Sequence, residues 1–152
     1  MIAAAAWVFP AAAAEAAPST VEACVRGAGN RTAAREACIG RVATACIGPD
    51  EGARSDGFIR DCFNSEQQQW DRLLNVAYKT LIQGLEPDRQ AKLREMQRAW
   101  IDSRERTCNF YYDYFQGSMA YPMIANCMNL ETARRAVFLM DIADDFRDRV
   151  KQ

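Results

Sequence analysis

The sequence predicts an all-α fold, a small disulfide-stapled helical bundle of about five helices, two or three of them long and antiparallel. Apolar residues recur at three- and four-residue steps through the second half of the chain, and no segment alternates as a β-strand does. The chain of 152 residues has six cysteines and no histidine, and a hydrophobic content of 49% that suffices for a core.

Two helices are expected in the N-terminal part of the chain. The first is predicted near residues 20–28, with Ser19 or Thr20 as its N-cap. The second is predicted over residues 33–47, with Thr32 as its cap. A glycine- and proline-containing turn at 48–52 follows.

Three longer helices are expected after that turn. Apolar stripes predict a helix over residues 56–83 and a second over 88–115. The return between them is short, so these two should be antiparallel neighbours. The last helix is predicted over residues 119–149, with an interruption near Pro122 or Asn129.

The N-terminus has the pattern of an export signal. Residues 1–16 are predicted to be a signal peptide, because an apolar run too short to span a bilayer ends in the A-x-A sequence of a cleavage site. The alternative is an alanine-rich tail. The rest of the chain is divided into an N-terminal cysteine-bearing helical region at 17–55 and a helical domain at 56–152. We expect a periplasmic or secreted protein without stable membrane insertion after removal of the leader.

The six cysteines are expected to form disulfides in an oxidising compartment. They can pair in many ways, and sequence alone does not choose among them. The favoured scheme joins sequence neighbours, while a crossed pairing of the first four cysteines stays open. In the favoured scheme the bonds are Cys24–Cys38, Cys46–Cys62 and Cys108–Cys127.

Composition argues against several classes of function. Without histidine, a Cys2His2 zinc site and a Ser-His-Asp triad are both excluded. The 19 basic and 20 acidic residues are nearly balanced and form no polybasic arm, so nucleic acid is not an expected partner. The last helix carries an acidic cluster that interleaves with basic residues and predicts a solvated face: Asp141, Asp144, Asp145 and Asp148 with Arg147, Arg149 and Lys151. We therefore predict no catalytic residue, no metal and no cofactor.

A set of residues between positions 62 and 139 occurs in the order of a known family. Cys108 and Cys127 accompany it, and the set comprises Glu66, Trp70, Asp71, Asn75, Tyr78, Gln97, Trp100, Arg104 and Arg135. It resembles the LprI-type lysozyme-inhibitor N-terminal domain. The resemblance implies an exported, helical, disulfide-bonded protein that binds another protein, with lysozyme as one candidate.

The matched residues also have a physical interpretation. Trp70 and Trp100 lie on apolar stripes and are expected in the core. Arg104 continues the Trp100 stripe, and a buried guanidinium needs partners, for which Glu66 and Asp71 are the candidates.

Three other matched residues are expected to extend this polar network. Arg135 on the last helix is predicted to join it, and the amides of Asn75 and Gln97 could bridge facing helices. A structural network is favoured over a ligand or partner site.

Tyrosines are dense around the end of the fourth predicted helix, and not all can face inward. They either pack against the N-terminal helices or form an exposed partner surface. The residues concerned are Tyr111, Tyr112, Tyr114 and Tyr121.

The sequence thus favours an exported protein-binding module, with lysozyme inhibition as the specific candidate. The alternative is a structural or interaction protein of the cell envelope without inhibitory activity. A net charge of −1 supplies no overall attraction to the common lysozymes, which are strongly basic.

Overall fold

A computed structural model describes residues 20–151, and within that range every regular element is helical. The predicted all-α bundle is confirmed. The predicted signal peptide at 1–16 lies outside the described residues. The elements are α1 (Val21–Ala28), α2 (Thr32–Glu36), α3 (Arg41–Ile47), a 3-10 turn (Glu51–Ala53), α4 (Asp56–Gly84), α5 (Pro87–Phe115) and α6 (Ala120–Val150).

The last helix, α6, holds the bundle together. It runs parallel to α4, packing along most of its length, and antiparallel to α5. At the far end Phe146 of α6 lies against Gly84 of α4, where any Cβ atom would overlap the phenyl ring. The helices α4 and α5 are antiparallel, as predicted, but they touch each other little, so a groove runs between them.

The core is built mainly from the facing stripes of α4 and α6. Trp70, Leu81 and Leu139 are its largest fully buried apolar side chains. Val21 of α1 and Cys38 belong to the same cluster, so the N-terminal helices share this core. Burial of such side chains contributes about 1.5–3 kcal/mol each to folding.

Two local predictions are corrected. The helix expected over 33–47 is broken, because Gly40 adopts a φ of 83°, a left-handed conformation that few other residues take readily. The predicted interruption of the last helix does not occur. Pro122 lies in the first turn of α6, where its missing N–H leaves no helical hydrogen bond unmade.

The caps of the first helices are partly those expected. The Thr20 hydroxyl accepts a hydrogen bond from the Ala23 N–H and caps α1. Thr32 does not cap α2, because it is the first residue of that helix. Its hydroxyl instead donates to the Asp141 carboxylate on α6 at 2.8 Å.

Three disulfides connect the helices, and they follow the sequential scheme rather than the crossed one. Each pair has a Cα–Cα distance between 5.5 and 5.9 Å, within the usual range. One bond ties α1 to the segment after α2, one ties α3 to α4, and one ties α5 to α6. The pairs are Cys24–Cys38, Cys46–Cys62 and Cys108–Cys127.

No helix among residues 20–151 combines the length and apolar character needed to cross a bilayer.

Replacing Cys108 and Cys127 together by serine should lower the free energy of unfolding by about 3 kcal/mol, because the bond closes a loop with a sequence separation of 19 residues. Urea unfolding followed by circular dichroism measures this change. An unfolding midpoint equal to that of the parent protein would show that the bond does not restrain the unfolded chain.

Candidate functional site

The carboxylate of Glu66 on α4 is fully buried and accepts four hydrogen bonds. One oxygen accepts from the Gly40 N–H at 2.7 Å and the other from the Ala43 N–H at 2.7 Å. The Trp70 indole N–H donates to it at 3.1 Å and the Asn129 amide at 3.0 Å. Donors from the α3 segment, α4 and α6 therefore converge on one side chain.

Glu66 supplies the cap that α3 lacks in its own sequence. Gly40, the residue before α3, has no side chain to accept the free N–H groups of the first turn. The Glu66 carboxylate takes this role from a neighbouring helix, and its negative charge suits the positive end of α3. One turn away on the same pair of helices, Cys46 and Cys62 form a disulfide. Hydrogen bonds and a disulfide thus hold α3 against α4.

The predicted partners of Arg104 are wrong. Arg104 pairs with neither Glu66 nor Asp71; it donates to the hydroxyl of Thr132 on α6 at 3.0 Å. Its guanidinium lies over the Trp100 ring, 4.7 Å from the centroid. Glu66 is unavailable because four other donors occupy it.

Arg135 joins this cluster from α6. Its Nε donates to the Gln97 side chain at 2.9 Å, and its guanidinium lies 5.4 Å from the Trp100 centroid and 5.2 Å from that of Phe138. Burial lowers the pKa of Arg135 below its usual value, since desolvation disfavours the charged form. Within residues 20–151, a buried nitrogen of each arginine, Nε of Arg104 and Nη2 of Arg135, has no hydrogen-bond partner.

Two further expectations about these residues are corrected. Asn75 does not bridge helices, because its amide donates to the backbone and side chain of Asp71 on the same helix. Trp100 is not part of the closed core. It is half-buried and lines the opening between α4 and α5, whereas Trp70 is fully buried as expected.

That opening, here called the α4–α5 groove, has a volume of about 380 Å³. Six of the nine residues that carried the family resemblance line it. The lining consists of Asp71, Leu74, Asn75, Tyr78, Arg94, Gln97, Arg98, Trp100, Ile101 and Arg104. Aromatic faces, amides and guanidinium groups therefore stand side by side in one concave surface.

A second surface lies where α5 turns into α6. Tyr114, Phe110 and Tyr112 are 70%, 62% and 53% exposed. Tyr111 differs from them, since it is half-buried and stacks on Phe115 at 5.9 Å. We call the exposed group the aromatic tip; its members are Phe110, Tyr112, Tyr114, Met119 and Tyr121.

The aromatic tip is held at its base by a disulfide and is formed by a segment without basic residues. The Cys108–Cys127 disulfide joins the two helices at its base. Between residues 107 and 133 the chain has Asp113 and Glu131 and no lysine or arginine. Large exposed apolar patches of this kind mark interaction sites more often than ordinary surface.

Sequence reasoning missed Arg35, which is buried. Its guanidinium bonds Asp141 at 2.7 Å and Asp144 at 2.6 Å, and so fastens α2 to α6. The expectation of a wholly solvated acidic face is therefore wrong for Asp144, which is only 9% exposed. The sequence signal that could have indicated this buried residue was the single arginine within the alanine-rich stretch 33–37.

Across the described range 20–151, no three histidine, cysteine, aspartate or glutamate side chains come together as a metal-binding group. The sequence model of one protein family, lysozyme inhibitor LprI, matches residues 46–139, more than half of the chain. The match begins inside the region 17–55 and so includes Cys46. Neither a curated protein nor a solved structure matches the chain.

Replacing Glu66 by glutamine should lower the free energy of unfolding by about 2–4 kcal/mol. Glutamine keeps the shape but offers one acceptor oxygen and turns an amide toward buried donors, which leaves polar groups unpaired. Chemical unfolding measures the change. Glu105→Gln, on the exposed face of α5, is the matched control and should change stability by less than about 0.5 kcal/mol. Equal effects of the two substitutions would contradict the role assigned to Glu66.

Proposed function

Because the chain belongs to the LprI family of lysozyme inhibitors, we propose that it is an exported protein-binding module and that its partner is a lysozyme. The aromatic tip is the proposed contact surface. The single observation that carries this proposal is the exposure of its large side chains, Tyr114 at 70% and Phe110 at 62%, on helices locked by a disulfide.

The chemistry of the tip suits a basic partner. Tyrosine gives a large contact area and a hydroxyl at low entropic cost, which is why it is enriched in binding hot spots. Asp113 stands among the tyrosines, and no basic residue lies between positions 107 and 133. The whole chain is nearly neutral, but this local acidity would attract the strongly basic surface of a common lysozyme.

Export is part of the same proposal. Three disulfides among residues 20–151 are typical of an oxidising compartment outside the cytosol. The proposed organisation is a signal peptide at 1–16, a region at 17–55 that braces the bundle, and the LprI-like domain at 56–152. The brace interpretation is supported by Val21 and Cys38, which are buried in the same cluster as Trp70.

We propose that the module binds and does not catalyse. The fully buried carboxylate of Glu66 is occupied by four backbone and side-chain donors, whereas a glycosidase needs two carboxyl groups that reach the glycosidic bond across a cleft. A second candidate function is an interaction protein of the cell envelope without inhibitory activity. The exposed aromatic tip supports this second candidate equally well. A measurement of lysozyme inhibition distinguishes the two candidate functions.

The mature, oxidised protein should slow the lysis of a peptidoglycan suspension by a common basic lysozyme. Tyr112→Ser with Tyr114→Ser should raise the concentration needed for half-protection about tenfold or more, because hot-spot tyrosines contribute strongly to binding. Turbidity loss with increasing protein measures this.

The control is Val76→Ser with Val150→Ser, which removes two apolar side chains that are 65% and 70% exposed and lie outside the tip. These substitutions should leave protection unchanged. Absence of protection by the parent protein at excess would rule out lysozyme inhibition and leave the envelope-interaction alternative. An equal loss in the control would refute the tip as the contact surface.

A further inference from the structure

The α4–α5 groove has an excess of positive charge that the rest of the protein lacks. Arg94, Arg98 and Arg104 line it against the single acid Asp71, whereas the chain as a whole carries 19 basic and 20 acidic residues. A local imbalance of this size in a concave surface concentrates anions.

These three arginines also lack charge partners. Arg94 donates to the amide oxygen of Gln90 and Arg104 to a hydroxyl, and within residues 20–151 none of the three is within ion-pair distance of a carboxylate. Other arginines of the same helices do form such pairs, as Arg106 does with Asp102 at 2.9 Å. Arg94 and Arg98 are exposed, whereas Arg104 is half-buried. An unpaired guanidinium at the half-buried position is costly, and a carboxylate from a ligand would offset that cost.

The remaining lining fits a peptide. Leu74, Tyr78, Trp100 and Ile101 offer apolar and aromatic surface, while Asn75 adds a side-chain amide. The α5 wall from Arg94 to Arg104 covers about 15 Å at 1.5 Å per residue, the length of four or five extended residues.

We propose that the α4–α5 groove binds a short acidic peptide segment, whose carboxylates pair with Arg94, Arg98 and Arg104 and whose apolar parts lie against Trp100. Asp71 favours a peptide over a phosphate-rich ligand, because its carboxylate can accept a hydrogen bond from a peptide backbone N–H, and a fully ionised phosphate offers no such donor. The groove is distinct from the aromatic tip, so this proposal does not depend on whether the protein inhibits lysozyme.

The test uses the oxidised protein and the blocked peptide acetyl-Glu-Glu-Glu-amide, with acetyl-Gln-Gln-Gln-amide as the uncharged counterpart. Titration is followed by nuclear magnetic resonance, through the Trp100 indole N–H and the arginine Nε–H signals. The acidic peptide should shift these signals saturably, with weaker binding as salt is raised. The glutamine peptide should shift them little.

Arg94→Gln with Arg98→Gln should weaken binding of the acidic peptide about tenfold, since two charge-assisted contacts are lost. Arg60→Gln with Arg106→Gln is the charge-matched control, because it removes two exposed, ion-paired arginines outside the groove. The control should retain the affinity of the parent protein within about twofold.

Four results would overturn the proposal. They are absence of binding at millimolar peptide, equal binding of the glutamine peptide, an equal loss of affinity in the control, and binding of free glutarate as tight as that of the peptide. Sedimentation is the remaining check. A dimer that Arg94→Gln with Arg98→Gln dissociates would assign the groove to a second copy of the chain instead.

Discussion

The buried carboxylate of Glu66 is the constraint on which the rest of the architecture depends. A buried charge is tolerated only when its hydrogen bonds are complete, and here four donors satisfy it. Those donors come from the start of α3, from Trp70 on α4 and from Asn129 on α6. One side chain therefore fixes where the short N-terminal helices meet the parallel pair of long ones.

Other links then restrain the parts that this carboxylate does not reach. Arg35 fastens α2 to α6 through two carboxylates, and disulfides secure α1, α3 and the far end of α5. With α4 and α6 fixed in this way, α5 packs mainly on α6. The face between α4 and α5 stays open as a groove, and the α5–α6 turn projects exposed aromatic side chains. A rigid interior thus presents two chemically different surfaces.

Helix periodicity and cysteine order predicted most of this fold, because both signals are local. The break at Gly40 was missed, since a left-handed glycine and a helical glycine look alike in sequence. The partners of Arg104 were mispredicted for a different reason. Glu66 was a plausible counter-ion, but its carboxylate accepts hydrogen bonds from Gly40 and Ala43 at the start of α3. These residues lie 26 and 23 positions away in the sequence, so the contact is not a local signal. The groove was equally hidden, because helix stripes do not reveal how closely two helices approach.

Hydrogen exchange at the backbone amides of Gly40 and Ala43 tests the central claim most directly. The Gly40 N–H lies just before α3 and the Ala43 N–H lies in its first turn. Both would exchange rapidly if water were their only acceptor. Bonded to a buried carboxylate, they should exchange as slowly as amides in the middle of α4. Exchange at the rate of exposed turn amides such as that of Gly52 would contradict the account, because the Glu66 carboxylate would then not hold the N-terminal helices to the bundle.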